Sequence, residues 1–244
     1  MSWTALASVL WALPLSAPAQ EPIFITPPVT MYQSGLVVGA DIEGQGRTVA
    51  FSSAVAFGVL SPWTVSLHAV GIDPGGASPA FARLHVGTRV RLVKLDRPRQ
   101  WMLVSVYGAA ALPLGDRAEA VARTYRVPQA VLGVSATRMA RRGDAFLNLE
   151  VARIETVADV ITSATVGLAL GWRPKPGKYG DLETQLFGEA LGRYVEGGQA
   201  TFGLAPGILV HSRKVVLKLG ALFPAWTRGA PHQITVRLGT RLLL

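Results

Sequence analysis

The 244-residue chain is half hydrophobic and only 16% charged, carries a formal net charge of +9 and has no cysteine. The missing thiols exclude a disulfide scaffold and thiolate metal sites. Mean hydropathy is +0.33, yet no run of about 18 apolar residues is available to cross a bilayer as a helix, so the apolar content is dispersed along the chain.

The first segment in chain order is MSWTALASVLWALPLSAPAQ. An apolar stretch from Trp3 to Leu15 is followed by Ala17-Pro18-Ala19, an A-x-A cleavage pattern that places Gln20 first in a mature chain. Residues 1–19 therefore read as an export signal, although no Lys or Arg precedes the apolar stretch. Residues 20–33, including EPIFITPPVT, form a proline-rich lead-in.

From 34 to 244 nearly everything reads as strand, turn, strand. The period-2 template predicts about twelve strands. They fall at 34–43, 47–58, 62–72, 81–95, 100–112, 128–139, 145–155, 160–173, 181–195, 199–211, 214–224 and 233–243. In 81–95, Arg83, His85, Arg89 and Arg91 alternate with Leu84, Val86, Val90 and Leu92. In 181–195, Glu183, Glu189 and Arg193 share a face; in 214–224, Lys214 and Lys218 do; in 233–243, Arg237 and Arg241 do. Strand 100–112 is ambiguous because both of its phases are apolar, and Pro206 inside 199–211 implies a bulge or local break.

Strict alternation marks a strand that separates two environments. A soluble sandwich would dilute its polar face with Asp, Glu, Lys, Ser and Asn; here several polar phases hold Arg and Lys among small residues. Trp63, Trp101, Trp172, Tyr194 and Phe223 sit near strand ends on apolar phases, where interfacial girdles belong. Short turns, three of them basic, alternate with longer or Gly-rich links such as 113–127. The predicted fold is all-β, a single antiparallel transmembrane β-barrel of about 12 strands over 34–244. An even count puts both ends of the barrel sequence on the short-turn side. The polar phases then line the lumen: Arg83, His85, Arg89, Arg91, Glu183, Glu189, Arg193, Lys214, Lys218, Arg237 and Arg241. Closure of the last strand on the first adds Asp41 and Glu43.

The segment LETQLFGEALGRYVEGGQATFGLAPGILVHSRKVVLKLGALFPA (182–225) resembles the closing hairpins of small outer-membrane barrels grouped as phenol-degradation-pathway-like transporters. The elements that carry the resemblance are Gly197-Gly198, Ala205-Pro206-Gly207, Ser212-Arg213-Lys214 and Phe223-Pro224. It covers about the last third of the chain. It implies an outer-membrane barrel and a passage for small organic solutes.

Chemical motifs are sparse. The sequence has no P-loop, G-x-S-x-G or H-E-x-x-H, and no Cys/His metal spacing. The stretch from Gly71 to Gly76 reads as a turn. Ser66 and His68 share a strand face with His85 across the hairpin, but a lumen-facing trio cannot reach lipid, so no catalytic residue, metal or cofactor is assigned. A pI near 10.5 invites nucleic acid, yet the arginines are spread over alternating strands with no recognition helix. Turn arginines such as Arg97, Arg99, Arg141 and Arg142 suit anionic lipid head groups instead.

The expected function is passive passage of small organic or anionic solutes through an Arg/Lys-lined lumen in the outer membrane of a Gram-negative-type cell, with membrane lipid and the barrel-assembly machinery as partners. Two alternatives stay open. One is a non-conducting structural or interaction barrel, its lumen salt-bridged and its 113–127 loop a contact surface. The other is a membrane-embedded lipid-modifying enzyme.

Overall fold

The computed structural model describes residues 35–75, 79–97, 100–112, 114–174, 182–212 and 214–243. The export-signal and lead-in expectations fall on 1–33 and lie outside the described residues. Twelve strands close into one antiparallel barrel: β1 Leu36–Gln45, β2 Thr48–Leu60, β3 Trp63–Asp73, β4 Ala80–Arg97, β5 Gln100–Leu112, β6 Pro128–Ala140, β7 Gly143–Glu155, β8 Val160–Trp172, β9 Glu183–Val195, β10 Gln199–His211, β11 Val215–Arg228 and β12 Thr235–Leu243. Each strand pairs with its sequence neighbours. The seam is β1 against β12, with Asp41 opposite Gly239 and Glu43 opposite Arg237. Closure removes both sheet edges, so every strand finds a backbone partner on each side.

Side chains alternate across this wall. Ile42, Leu67, Leu149, Leu168, Leu204 and Leu238 are among the many apolar residues exposed on the outside. A shallow outer recess at β6–β11, lined by Leu132, Val134, Leu149, Val166, Tyr194 and Trp226, is likewise apolar. So large an apolar exterior is not a surface for water. Trp63, Trp172 and Tyr194 stand outward near strand ends as expected. Phe223 is outward too, but β11 runs on to Arg228, so Phe223 lies inside the strand and Trp226 is the aromatic nearer its end. Trp101 does not. It turns inward and packs on the lumen cluster of Met139, Phe146 and Phe187. The two apolar phases of β5 concealed this choice.

Pro206 lacks an amide hydrogen but stays in register with Gly188 of β9. The predicted irregularity falls nearby, as a register shift against β11 at Phe202–Gly203.

The 113–127 link differs from the expected open loop. It contains the barrel's one described helix, α1 Asp116–Thr124. Asp116 and Glu119 lie in its first turn and Arg123 in its last, each placed favourably in the helix dipole. Ala118 and Ala122, four residues apart, form a narrow buried face. The chain leaves the helix through a Schellman turn: Val127 N–H donates to Ala122 O at 2.9 Å and Arg126 N–H to Arg123 O at 3.3 Å, with Arg126 at φ 55°. Val127 thereby joins Ala122 in a buried cluster with Val70, Ile72 and Ala82 of β3 and β4. The helix is folded into the barrel mouth opposite the end where β1 begins and β12 finishes.

Candidate functional site: the charged lumen

Four groups of side chains fill the interior. The first lies on the seam. The Asp41 carboxylate takes a 2.6 Å charge-assisted bond from Arg241 Nη2, with Arg237 Nη2 at 3.4 Å and Lys218 Nζ at 3.5 Å. Three adjacent strands, β1, β12 and β11, supply these residues at neighbouring register positions. Glycine makes the space: a Cβ on Gly239 would stand on Asp41 Oδ1 and against the Lys218 stem. Glu43 is buried next to this group, directly opposite Arg237.

The second group spans six strands, β4 to β9, with its interacting side chains on β4, β5, β7 and β9. Arg89 lies over the Tyr107 ring, 5.2 Å from its centroid. The Tyr107 hydroxyl is 2.8 Å from Glu150 Oε2 and 3.0 Å from Asn148 Oδ1. One hydroxyl hydrogen serves one acceptor at a time, and the carboxylate is the stronger claimant. Arg193 balances Glu150 electrostatically from β9. The cross-strand pairs Arg89–Tyr107, Tyr107–Gly133, Gly133–Glu150, Glu150–Thr165 and Thr165–Arg193 place the whole set in one row.

The third group sits at the end of the barrel where β1 begins and β12 finishes, its termini side. Arg173 bonds Asp144 closely, reaches Glu183 Oε1 at 3.1 Å and donates to Ala140 O at 2.9 Å. Gln185 Nε2 donates to Asp144 at 2.6 Å, and His211 lies 3.2 Å from Glu183. The fourth fastens α1: Arg83 to Glu119 at 3.1 Å and Arg123 to Glu155 at 2.8 Å. Just beyond the helix, Arg126 donates to Gln199 at 3.1 Å, and His85 Nε2 makes a 2.7 Å hydrogen bond with Pro128 O.

The expected lumen residues are thus placed as follows. Arg83, His85, Arg89, Glu189, Lys218, Arg237 and Arg241 point inward and are buried. Glu183 and Arg193 point inward and are half-buried. Arg91 stands at the rim, bonded to Ser61 Oγ at 3.1 Å. Lys214 is exposed on the turn before β11, because the strand starts one residue later than its periodicity suggested. Gln185, on the same polar face of β9 as Glu183 and Glu189, joins the third group. Asp144, Tyr107, Asn148 and Arg173 complete the groups and were missed because none of them stands in a run of alternating charges, although all but Arg173 fall on inward phases.

The lumen is not lined by Arg and Lys alone. On the β6–β11 side an apolar cluster of Phe146, Phe187, Leu191, Leu209, Val216 and Leu222 occupies it, with Phe146 and Phe187 ring centroids 6.0 Å apart. Arg83 and Arg237 are 1% exposed, Lys218 and Arg241 2%, and Glu189 3%. Side chains bordering a water-filled bore would be wetted far more. At these levels the interior is packed with side chains. Among the described residues, no three His, Asp or Glu side chains gather as a metal site. His68 and His85 face each other with ring centroids 6.2 Å apart.

This arrangement defines a class: a closed twelve-stranded barrel, apolar outside and charged within. No protein-family model matches the chain, and no curated protein sequence does. Among solved structures it is similar to the NanC porin, at TM-score 0.53 and 8% identity over 86% of this chain and all of that one. LpxR from Salmonella typhimurium aligns over 86% of this chain and 99% of its own, at 12% identity and TM-score 0.43. OmpTdeltaL8, a loop-deletion mutant of an outer membrane protein of Vibrio cholerae, reaches TM-score 0.33 at 6% identity over 87% and 100%. The NanC likeness extends the barrel architecture over nearly the whole described chain.

Proposed function

We propose that the protein is an outer-membrane barrel whose lumen is held shut by its ion-pair groups and apolar filling, and which acts as a structural or interaction body through its outer wall and rims. The observation that carries this reading is the near-complete burial of Arg83, Lys218, Arg237 and Arg241. A conducting path needs continuous water, and packing shields these side chains almost wholly from solvent. The apolar exterior supplies the membrane half of the argument, because a closed barrel satisfies every backbone group within lipid. The reading assigns no reaction to the lumen.

A second reading, passive passage of small anionic or acidic organic solutes, is supported by the seam group, where three cations surround Asp41. The likeness of the closing hairpins to the phenol-degradation-pathway-like group points the same way. It requires the packed layers to part and α1 to leave the mouth. Planar-bilayer conductance of the refolded chain, with the reversal potential in a salt gradient, separates the two. Silence from a chain shown to be inserted supports the closed barrel. Stable anion-selective steps overturn it and establish passage.

A further inference from the structure

We infer that the termini-side rim carries a binding site for anionic phospholipid head groups, centred on Arg138, Arg141 and Arg142 beside Trp172, and that this rim faces a leaflet rich in such lipid. The inference rests on the membrane reading above. Arg141 and Arg142 form the turn between β6 and β7, and both are exposed. Arg138 lies on the outward phase of β6, two residues from its end and opposite Ala145 of β7. Its guanidinium is exposed and braced by Gln100, whose Oε1 accepts from Nη2 at 3.0 Å. Trp172 is 54% exposed on the outer wall, opposite Gly143 at the foot of the same turn. The Arg173 N–H donates to Arg142 O at 2.9 Å and so ties the turn to the end of β8. Three guanidiniums and an indole thus share one short arc of the rim. Guanidinium matches phosphate geometry, and indole settles at the head-group level of a bilayer.

Among the described residues, the acidic side chains at this end are engaged elsewhere. Asp144 and Glu183 are spent inside on Arg173, and the exposed Asp96 is paired with Lys94 at 3.3 Å. Lys214, exposed further round the same rim, adds a cation. The opposite rim is mixed: exposed Arg47, Arg153 and Arg228 stand among exposed Asp116, Asp159 and Glu196. The two ends of the barrel therefore present different fields. Trp226 stands beside Arg228 on that opposite rim, but there Asp116, Asp159 and Glu196 offset the cations, so among the described residues the stronger cationic arc at the depth of an interfacial tryptophan is that of Arg138, Arg141, Arg142 and Trp172.

The test uses the full chain refolded into vesicles of phosphatidylcholine alone and of equimolar phosphatidylcholine and phosphatidylglycerol. Insertion is read by protease protection. Lipid carried through gentle detergent extraction is then quantified. The wild type retains phosphatidylglycerol over phosphatidylcholine by about threefold or more, falling towards parity as salt is raised to about 1 M. The R138Q/R141Q/R142Q triple variant falls to parity at low salt, whereas R47Q/R153Q/R228Q on the opposite rim keeps the enrichment. Parity in the wild type, or an equal loss in both triple variants, overturns the site while leaving the membrane reading intact. Failure to insert into phosphatidylcholine overturns the membrane reading and the site with it. The salt series needs no variant, so a misfolded triple leaves the inference open to refutation.

Discussion

The Tyr107 hydroxyl meets Glu150 Oε2 at 2.8 Å although β6 runs between their strands. It does so because the intervening residue is Gly133. A Cβ there would occupy the space of the Tyr107 ring, so the glycine is the seat on which the tyrosine lies. Replacing Tyr107 by Phe keeps the ring over Gly133 and takes one hydrogen-bond donor from the half-buried Glu150 carboxylate, leaving Arg193 as its electrostatic partner. The expected loss is about 1–3 kcal/mol, read as a lowered urea midpoint for the barrel in detergent micelles. Gly133→Val, which drives the ring off its seat, should cost more than Tyr107→Phe. An unchanged midpoint in both would remove this row from the account of stability.

Asp41 holds the seam together in a different way, as a single carboxylate serving Lys218, Arg237 and Arg241. Removing one partner of a buried ion group strands the others. Asp41→Asn is therefore expected to cost about 3–5 kcal/mol. The sharper outcome is the double variant. Asp41→Asn with Lys218→Met removes one stranded cation as well, and should recover part of the loss. No recovery would mean that Lys218 is stabilised by neighbours other than Asp41.

The barrel was legible in the sequence because its signal is local. Alternation in stretches such as QITVRLGTRLLL reports which phase meets lipid and which meets the interior, and that decides strand, face and closure together. The seam followed in the same way, since pairing the last strand with the first brings Arg237 to Glu43. What stayed hidden depends on contacts across strands. Nothing in β5 says that Trp101 turns inward, because its neighbours are apolar on both phases. The inward Phe146, Phe187 and Leu209 were hidden by the habit of reading apolar as lipid-facing; a closed lumen needs filling as much as charge. The helix in 113–127 was missed because, of the three alanines in DRAEAVART, only Ala118 and Ala122 form its buried face, a stripe that acquires meaning once Val70, Ile72 and Ala82 stand opposite it.

That stripe gives a direct test of whether α1 stays in the mouth. Ala122 is fully buried against the wall, and a carboxylate placed there would have to leave the cluster or remain uncompensated within it. Ala122→Glu should unseat the helix while leaving the strands paired. The expected outcome is rapid trypsin cleavage after Arg117, Arg123 or Arg126 in the variant, against slow cleavage in the wild type, with the barrel core intact in both. Equal cleavage rates would show that the helix is already free of the wall in solution.

Neutralising Arg89 together with Arg237 decides between a lumen that conducts and one that is filled. Arg89 lies on Tyr107 in the cross-strand row, and Arg237 stands 3.4 Å from Asp41 in the seam group. The two positions share none of these contacts, so in a filled barrel their costs should add to within about 0.5 kcal/mol. Each loss should appear in the urea midpoint, and the inserted variant should remain electrically silent. In a conducting barrel the same two arginines would set the field of the bore, and removing them would lower the preference for anions while currents continued. Conductance and unfolding measured on one R89Q/R237Q preparation therefore give opposite patterns. Selectivity that shifts with an unmoved midpoint would favour the pore, and a lowered midpoint without current would favour the closed barrel.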